Sequence, residues 1–84
     1  MKVSIGGNEA LIRPVARLKN RGDCDPPGEN RVIRIRKSLR GEERMEVLLH
    51  EFVHLAGWHI DEEFVRRFAE DAARELTKLG FEEK

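Results

Sequence analysis

Three histidines fall within ten positions, at His50, His54 and His59, and the first two stand four residues apart with Glu51 beside the first. Four residues is close to one helical turn, so on a helix the two imidazoles share a face, one above the other. A pair placed this way can reach a single tetrahedral zinc, whose bonds to imidazole nitrogen are near 2 Å. Glu51 then projects beside the metal without ligating it. From there it can take a proton from an activated water and hand it to a leaving amine. The flanks are apolar, with Val47, Leu48 and Leu49 before and Phe52 and Val53 between. A dry wall of this kind strengthens a cation's field. Two accidental histidines on the same stripe would instead be buried without partners, which is costly.

For this chemistry the segment must be helical, and its pattern says so. Met45, Leu48, Leu49, Phe52, Val53 and Ala56 recur at three- and four-residue intervals, predicting a helix over about 42–56 with one apolar stripe. Gly57 suits a left-handed residue just past its end. Asp61 is a good N-cap for a second helix over about 62–79, with Val65, Phe68, Ala69, Ala72, Leu76 and Leu79 on one face. Upstream, Gly6-Gly7-Asn8 between short apolar runs is a hairpin signal. Pro14 should end the second of those strands or confine it to an edge. Residues 20–30 read as a loop from their Gly, Pro, Asp and Asn content. Residues 31–36 alternate, with Ile33 and Ile35 towards the core and Arg34 and Arg36 on the opposite face.

A catalytic zinc takes three protein ligands, so a third donor is needed. The candidates are His59, Asp61, Glu62 and Glu63. Helical phase, at about 100° per residue, centres the second helix's apolar face near Val65, Phe68 and Ala72. Glu62 lies at the edge of that face, Glu63 points away from it, and Asp61 points inward but is wanted as the cap. The order of preference is Glu62, then Asp61, His59 and Glu63.

At these residues the chain resembles zinc metallopeptidases of the zincin class, through the HExxH segment His50–His54 and its surroundings. Gly22-Asp23-Cys24, then the strand at 31–36, then Glu46-Val47-Leu48-Leu49-His50-Glu51, is similar to the layout in SprT-like and ImmA/IrrE-like proteins and in short phage and bacterial HExxH proteins. In the metzincin pattern a third histidine would fall where Ile60 stands, so a minimal gluzincin is the nearer likeness. The spacing from Glu62 to Phe68-Ala69 also resembles an ImmA/IrrE-like motif. One departure is Arg66, where gluzincins often carry an acid.

The resemblance implies an α+β zincin-like minidomain: a small sheet of about three strands packed on the HExxH helix and a C-terminal backing helix. It implies a Zn2+-dependent peptidase with Glu51 as general base. In such folds the strand before the helix borders the cleft and pairs with an extended peptide or protein substrate, here along Ile33, Arg34, Ile35 and Arg36. The contrasting expectation is a non-catalytic zinc-stabilised accessory module, of phage type. A metal-dependent nuclease ranks below both.

Composition sets the bounds. Eighty-four residues, 39% hydrophobic and 38% charged, make one domain over 1–84 with a small core. So small a cleft is a candidate for completion by a partner or a second copy. The single cysteine, Cys24, permits no internal disulfide and reads as an ordinary loop residue. No stretch approaches the roughly 20 apolar residues of a membrane span, and Met1 to Gly7 read as strand and turn rather than a leader. A soluble, cytoplasmic protein is the expectation. Net charge is zero, but residues 1–40 hold ten Lys/Arg against four Asp/Glu, and residues 41–84 hold six against twelve. Two halves attracting across a packed interface is the simple account. Arg31, Arg34, Arg36, Lys37 and Arg40 cluster without interleaved aromatics, which disfavours nucleic acid.

Overall fold

A computed structural model describes residues 1–81. The chain runs β1 (Lys2–Ile5), β2 (Asn8–Val15), β3 (Gly22–Cys24), β4 (Val32–Arg36), α1 (Gly41–Ala56) and α2 (Glu62–Lys78). The class is α+β. The sheet has four strands rather than about three, in the order β1-β2-β4-β3, with β2 and β4 parallel and the other pairs antiparallel.

Gly6 and Gly7 (φ 60° and 80°) form the tight turn of the β1–β2 hairpin, a conformation glycine adopts without steric cost. Pro14 neither ends β2 nor puts it at an edge. β1 pairs β2 only as far as Leu11, while β4 pairs it from Leu11 to Val15. Leu11 N donates to Arg31 O, and Lys37 N donates to Val15 O. By alternation the Pro14 nitrogen faces the side that β1 has already left, where no donor is needed.

The fourth strand, β3, lies within what the composition marks as loop. Glycine and aspartate are poor strand formers. Pairing of Gly22 with Ile35, Asp23 with Arg34 and Cys24 with Ile33 holds it extended. A Cβ at Gly22 would stand 2.6 Å from Val47 Cγ1, so the missing side chain lets α1 settle onto this strand. The pairing also corrects the expected substrate edge. β4 is flanked by β2 and β3, so Ile33, Arg34, Ile35 and Arg36 offer no free edge; β3 does.

The core lies between the sheet and α1. Ala10, Ile33, Ile35, Leu39, Val47 and Leu55 are buried together, with Val3, Ile5, Ile12, Leu48 and Phe52 packed around them. Fully burying a side chain such as Ile35 contributes roughly 1.5–3 kcal/mol. The buried positions of α1 are Val47, Glu51 and Leu55, whereas Met45, Leu49 and Val53 are half-buried and Ala56 is exposed. The single stripe expected from sequence is two faces, because α1 is sandwiched between the sheet and α2.

Among the described elements α2 packs on α1 alone. It does so through Val65, Ala69 and Ala73, all fully buried. Alanines allow the helix axes to approach closely. The larger Phe68, expected in this interface, is 44% exposed and stacks on Phe64 outside it. The far face of the sheet carries no helix, and no described helix is long and apolar enough to cross a membrane.

Candidate metal centre

The end of α1 that carries the histidines is fixed by the sheet. Asn8 Nδ2 donates to Leu55 O at 3.0 Å, and Arg31 Nη1 donates to the same carbonyl at 3.4 Å. These donors satisfy carbonyls that a helix C-terminus leaves unpaired. They replace the left-handed cap expected at Gly57, whose φ is −149°. Gly57 serves the turn that follows instead. A Cβ there would lie 2.7 Å from Ile60 Cδ1, and Ile60 N donates back to Gly57 O. This turn delivers Asp61, whose carboxylate accepts from Phe64 N at 3.0 Å and caps α2.

With Asp61 so engaged, Glu62 occupies the first turn of α2 and faces α1. Its Oε1 lies 2.9 Å from His50 Nε2 and its Oε2 lies 3.0 Å from His54 Nε2. The two imidazole centroids are 4.8 Å apart at 60°. One ligand atom from each of His50, His54 and Glu62 can be chosen so that all lie within 4.8 Å of one another. A tetrahedral zinc with bonds of 2.0–2.1 Å needs its ligand atoms roughly 3.3–3.4 Å apart. Small side-chain adjustments reach that spacing, so the donor set fits the ion. The alternatives are placed differently: Glu63 pairs with Arg66 at 2.6 Å, Asp61 caps its helix, and His59 is exposed on the turn. Arg66, where gluzincins often carry an acid, is committed to Glu63 and Glu70.

Glu51 lies on the sheet side of α1 and is 5% exposed. Burial pushes its carboxyl up to about 7, and the negative charges of Asp23 and Glu62 add to that effect. The His50 imidazole is held below its ordinary value. Burial is the main cause and His54 assists, while Glu62 pulls the other way. A neutral imidazole is the form that ligates.

One open cleft is lined by all four of these side chains, together with Gly22, Asp23 and Cys24 of β3 and Trp58, His59 and Ile60 of the turn. Sequence reasoning missed Asp23, the residue that brings negative charge to Glu51 and whose carboxylate accepts from Arg34 at 2.8 Å. It also missed Arg31, counted there with the basic cluster. Arg31 is 7% exposed, donates to the carbonyls of Asp25 and Leu55, and lies 5.8 Å from the Trp58 ring. The available signal was the Gly22-Asp23-Cys24 run itself, polar but short. Cys24 is half-buried, and burial raises its thiol above the ordinary value despite the Arg31 charge, which makes it a poor nucleophile.

The site therefore draws its donors from two helices and its negative wall from a strand, a set of parts that can hold a divalent cation and manage a proton beside it. No family model, curated protein or solved structure matches this chain.

Proposed function

We propose that this chain is a zinc-dependent peptidase of the zincin type, holding its metal with His50, His54 and Glu62 and using Glu51 as general base. The supporting observation is that a carboxylate from α2 meets two imidazoles of α1 beside a buried carboxyl poised near neutrality. Zinc in this cluster would supply Lewis acidity and lower the pKa of a bound water towards about 7. Glu51 would take the proton from the attacking water and return it to the departing amine. Burial and the charges of Asp23 and Glu62 raise the proton affinity of Glu51 and so oppose the lowering that a bound dication would bring.

Substrate would lie along the free edge of β3, where Gly22 to Cys24 border the cleft and an extended peptide can add as a strand. The chain has no tyrosine, so donors for the developing negative charge must come from the rim. His59 and Trp58 each line the cleft and carry a ring N–H.

The test compares the parent with Glu51→Gln, His54→Ala and Glu62→Ala by elemental analysis and by hydrolysis of a fluorogenic peptide library. Glu51→Gln should keep its zinc and lose about 10²–10⁴-fold in rate. The other two should lose zinc. Full zinc content in Glu62→Ala would remove the third ligand from the proposal.

A second reading is favoured by the packing of α2 on α1 alone. Here the cation is a staple that holds the two helices together, and the chain acts by binding. Zinc-loaded parent protein with no hydrolysis across the library would favour it.

A further inference from the structure

The open face of the sheet and the turn beyond it carry several cations that no described carboxylate pairs with. Ile33 and Ile35 point to α1, so Arg34 and Arg36 lie on the bare side, and the parallel register sets Arg13 beside Arg34 and Val15 beside Arg36. Arg34 is committed to Asp23 and Asp25 at 2.8 Å each. Arg36 is not. Its Nε donates to Leu18 O at 3.3 Å and its Nη2 donates to Lys19 O at 3.0 Å. Those bonds tie the turn carrying Arg17 and Lys19 to the end of β4, next to Lys37. Arg40 likewise donates to the carbonyls of Lys37 and Leu39.

Both arginines are thus held in place by neutral acceptors and keep their charge. None of Arg13, Arg17, Lys19, Arg36, Lys37 and Arg40 forms an ion pair with a described residue. Attraction between the two halves of the chain does not explain the patch. Of the cations in residues 1–40, Arg21 alone pairs with a described carboxylate of the acidic half. On α2, by contrast, three of the four cations, Arg66, Arg74 and Lys78, have carboxylate partners, and Arg67 is the exception among the described residues. Like charges held together repel one another unless a counter-charge is supplied.

We propose that this end of the sheet docks on the phosphate backbone of double-stranded nucleic acid. The missing aromatics that weigh against nucleic acid in the sequence bear on unpaired bases, so they argue against single strands and leave a duplex open. An acidic peptide would have to be ordered at about 1–2 kcal/mol per residue. A duplex presents one fixed charge per roughly 1.7 Å of axis with that cost already met. The proposal stands apart from the metal centre and does not depend on it.

The experiment is fluorescence anisotropy of a labelled 20-base-pair duplex of arbitrary sequence with the full chain, from 50 to 300 mM salt, with and without zinc. Log affinity should fall linearly with log salt, with a slope of about −4 to −5 for some five phosphate contacts. Arg13→Ala/Arg17→Ala/Lys37→Ala should weaken binding at least tenfold and flatten the slope by about 2.7, at 0.9 per contact. Arg66→Ala/Arg74→Ala/Lys78→Ala removes equal charge from α2 and should change neither. If the first variant loses its circular dichroism, Lys19→Glu/Lys37→Glu, at two exposed positions, is expected to give the same weakening. Three results would overturn the proposal: no binding at 50 mM salt, equal loss in the α2 variant, or poly-glutamate competing as well as the duplex.

Discussion

The two sides of α1 are built on different principles. Towards the sheet lie Ile33, Ile35, Leu39, Val47 and Leu55, an apolar core whose buried charged neighbours are Glu51 and Arg31. Towards α2 the fully buried contributors are Val65, Ala69 and Ala73, and the same interface holds the His50–His54–Glu62 cluster. Methyl groups bury little area, so hydrophobic burial holds the second interface far less firmly than the first. One side of the helix is a foundation and the other a seat for chemistry. The lesson is that the main apolar core and the proposed metal centre are assigned to opposite faces of one element, with Glu51 the point where they overlap.

That division can be broken from either side. The largest effect is expected from Ile35→Ala, which leaves a cavity in the sheet–α1 core and should cost about 4–5 kcal/mol, the upper end for such truncations. Urea unfolding should show this loss with and without zinc alike. Next comes metal itself. Free zinc at about 1,000 times its dissociation constant should add about 4 kcal/mol by linkage, and chelation should remove it. Hydrogen exchange checks where the gain falls: protection should rise first in α2, and a rise confined to the sheet would contradict the division.

A third prediction concerns pH. A carboxyl whose folded pKa is raised binds more protons folded than unfolded, so stability falls as pH rises through the window between the two values. For Glu51 that window runs from the ordinary 4.5 to about 7. The 2.5-unit difference corresponds to up to about 3 kcal/mol at 1.36 kcal/mol per unit. Chelated protein should therefore be less stable at pH 8 than at pH 5, and Glu51→Gln should remove most of that slope. Bound zinc opposes it too, since a nearby dication favours the ionised carboxylate. The smallest effect is expected from Asp61→Ala, which loses the cap on Phe64 N and should cost about 1 kcal/mol. It should also weaken zinc binding measurably, because Glu62 follows the cap directly.

Much of this was legible in the residues. The four-residue spacing of His50 and His54 placed two imidazoles on one face of a helix, and the Asp61 cap was evident from its type and position. Phase singled out Glu62, although the centre of α2 was taken one step off, at Phe68 and Ala72 rather than Ala69 and Ala73. Glu62 is seven residues before Ala69, nearly two full turns, and so shares its direction whichever centre is used. What stayed hidden depends on contacts distant in sequence. β3 is too short and too polar to announce itself, and only β4 makes it a strand. The cap on α1 arrives from Asn8 and Arg31, which no pattern local to the helix discloses. The free edge of β3 follows from strand order, and strand order from the same unseen pairing.

Because α2, among the described elements, packs on α1 alone, the chain divides into a self-contained frame and a detachable part that would bring the proposed third donor. Residues 1–59 and a peptide of residues 60–81 should reassemble when mixed, weakly alone and tightly once zinc joins the two pieces. If the proposed centre binds as expected, the completion of the fold would follow metal supply, and the concentration of one ion would decide how much of the protein is whole.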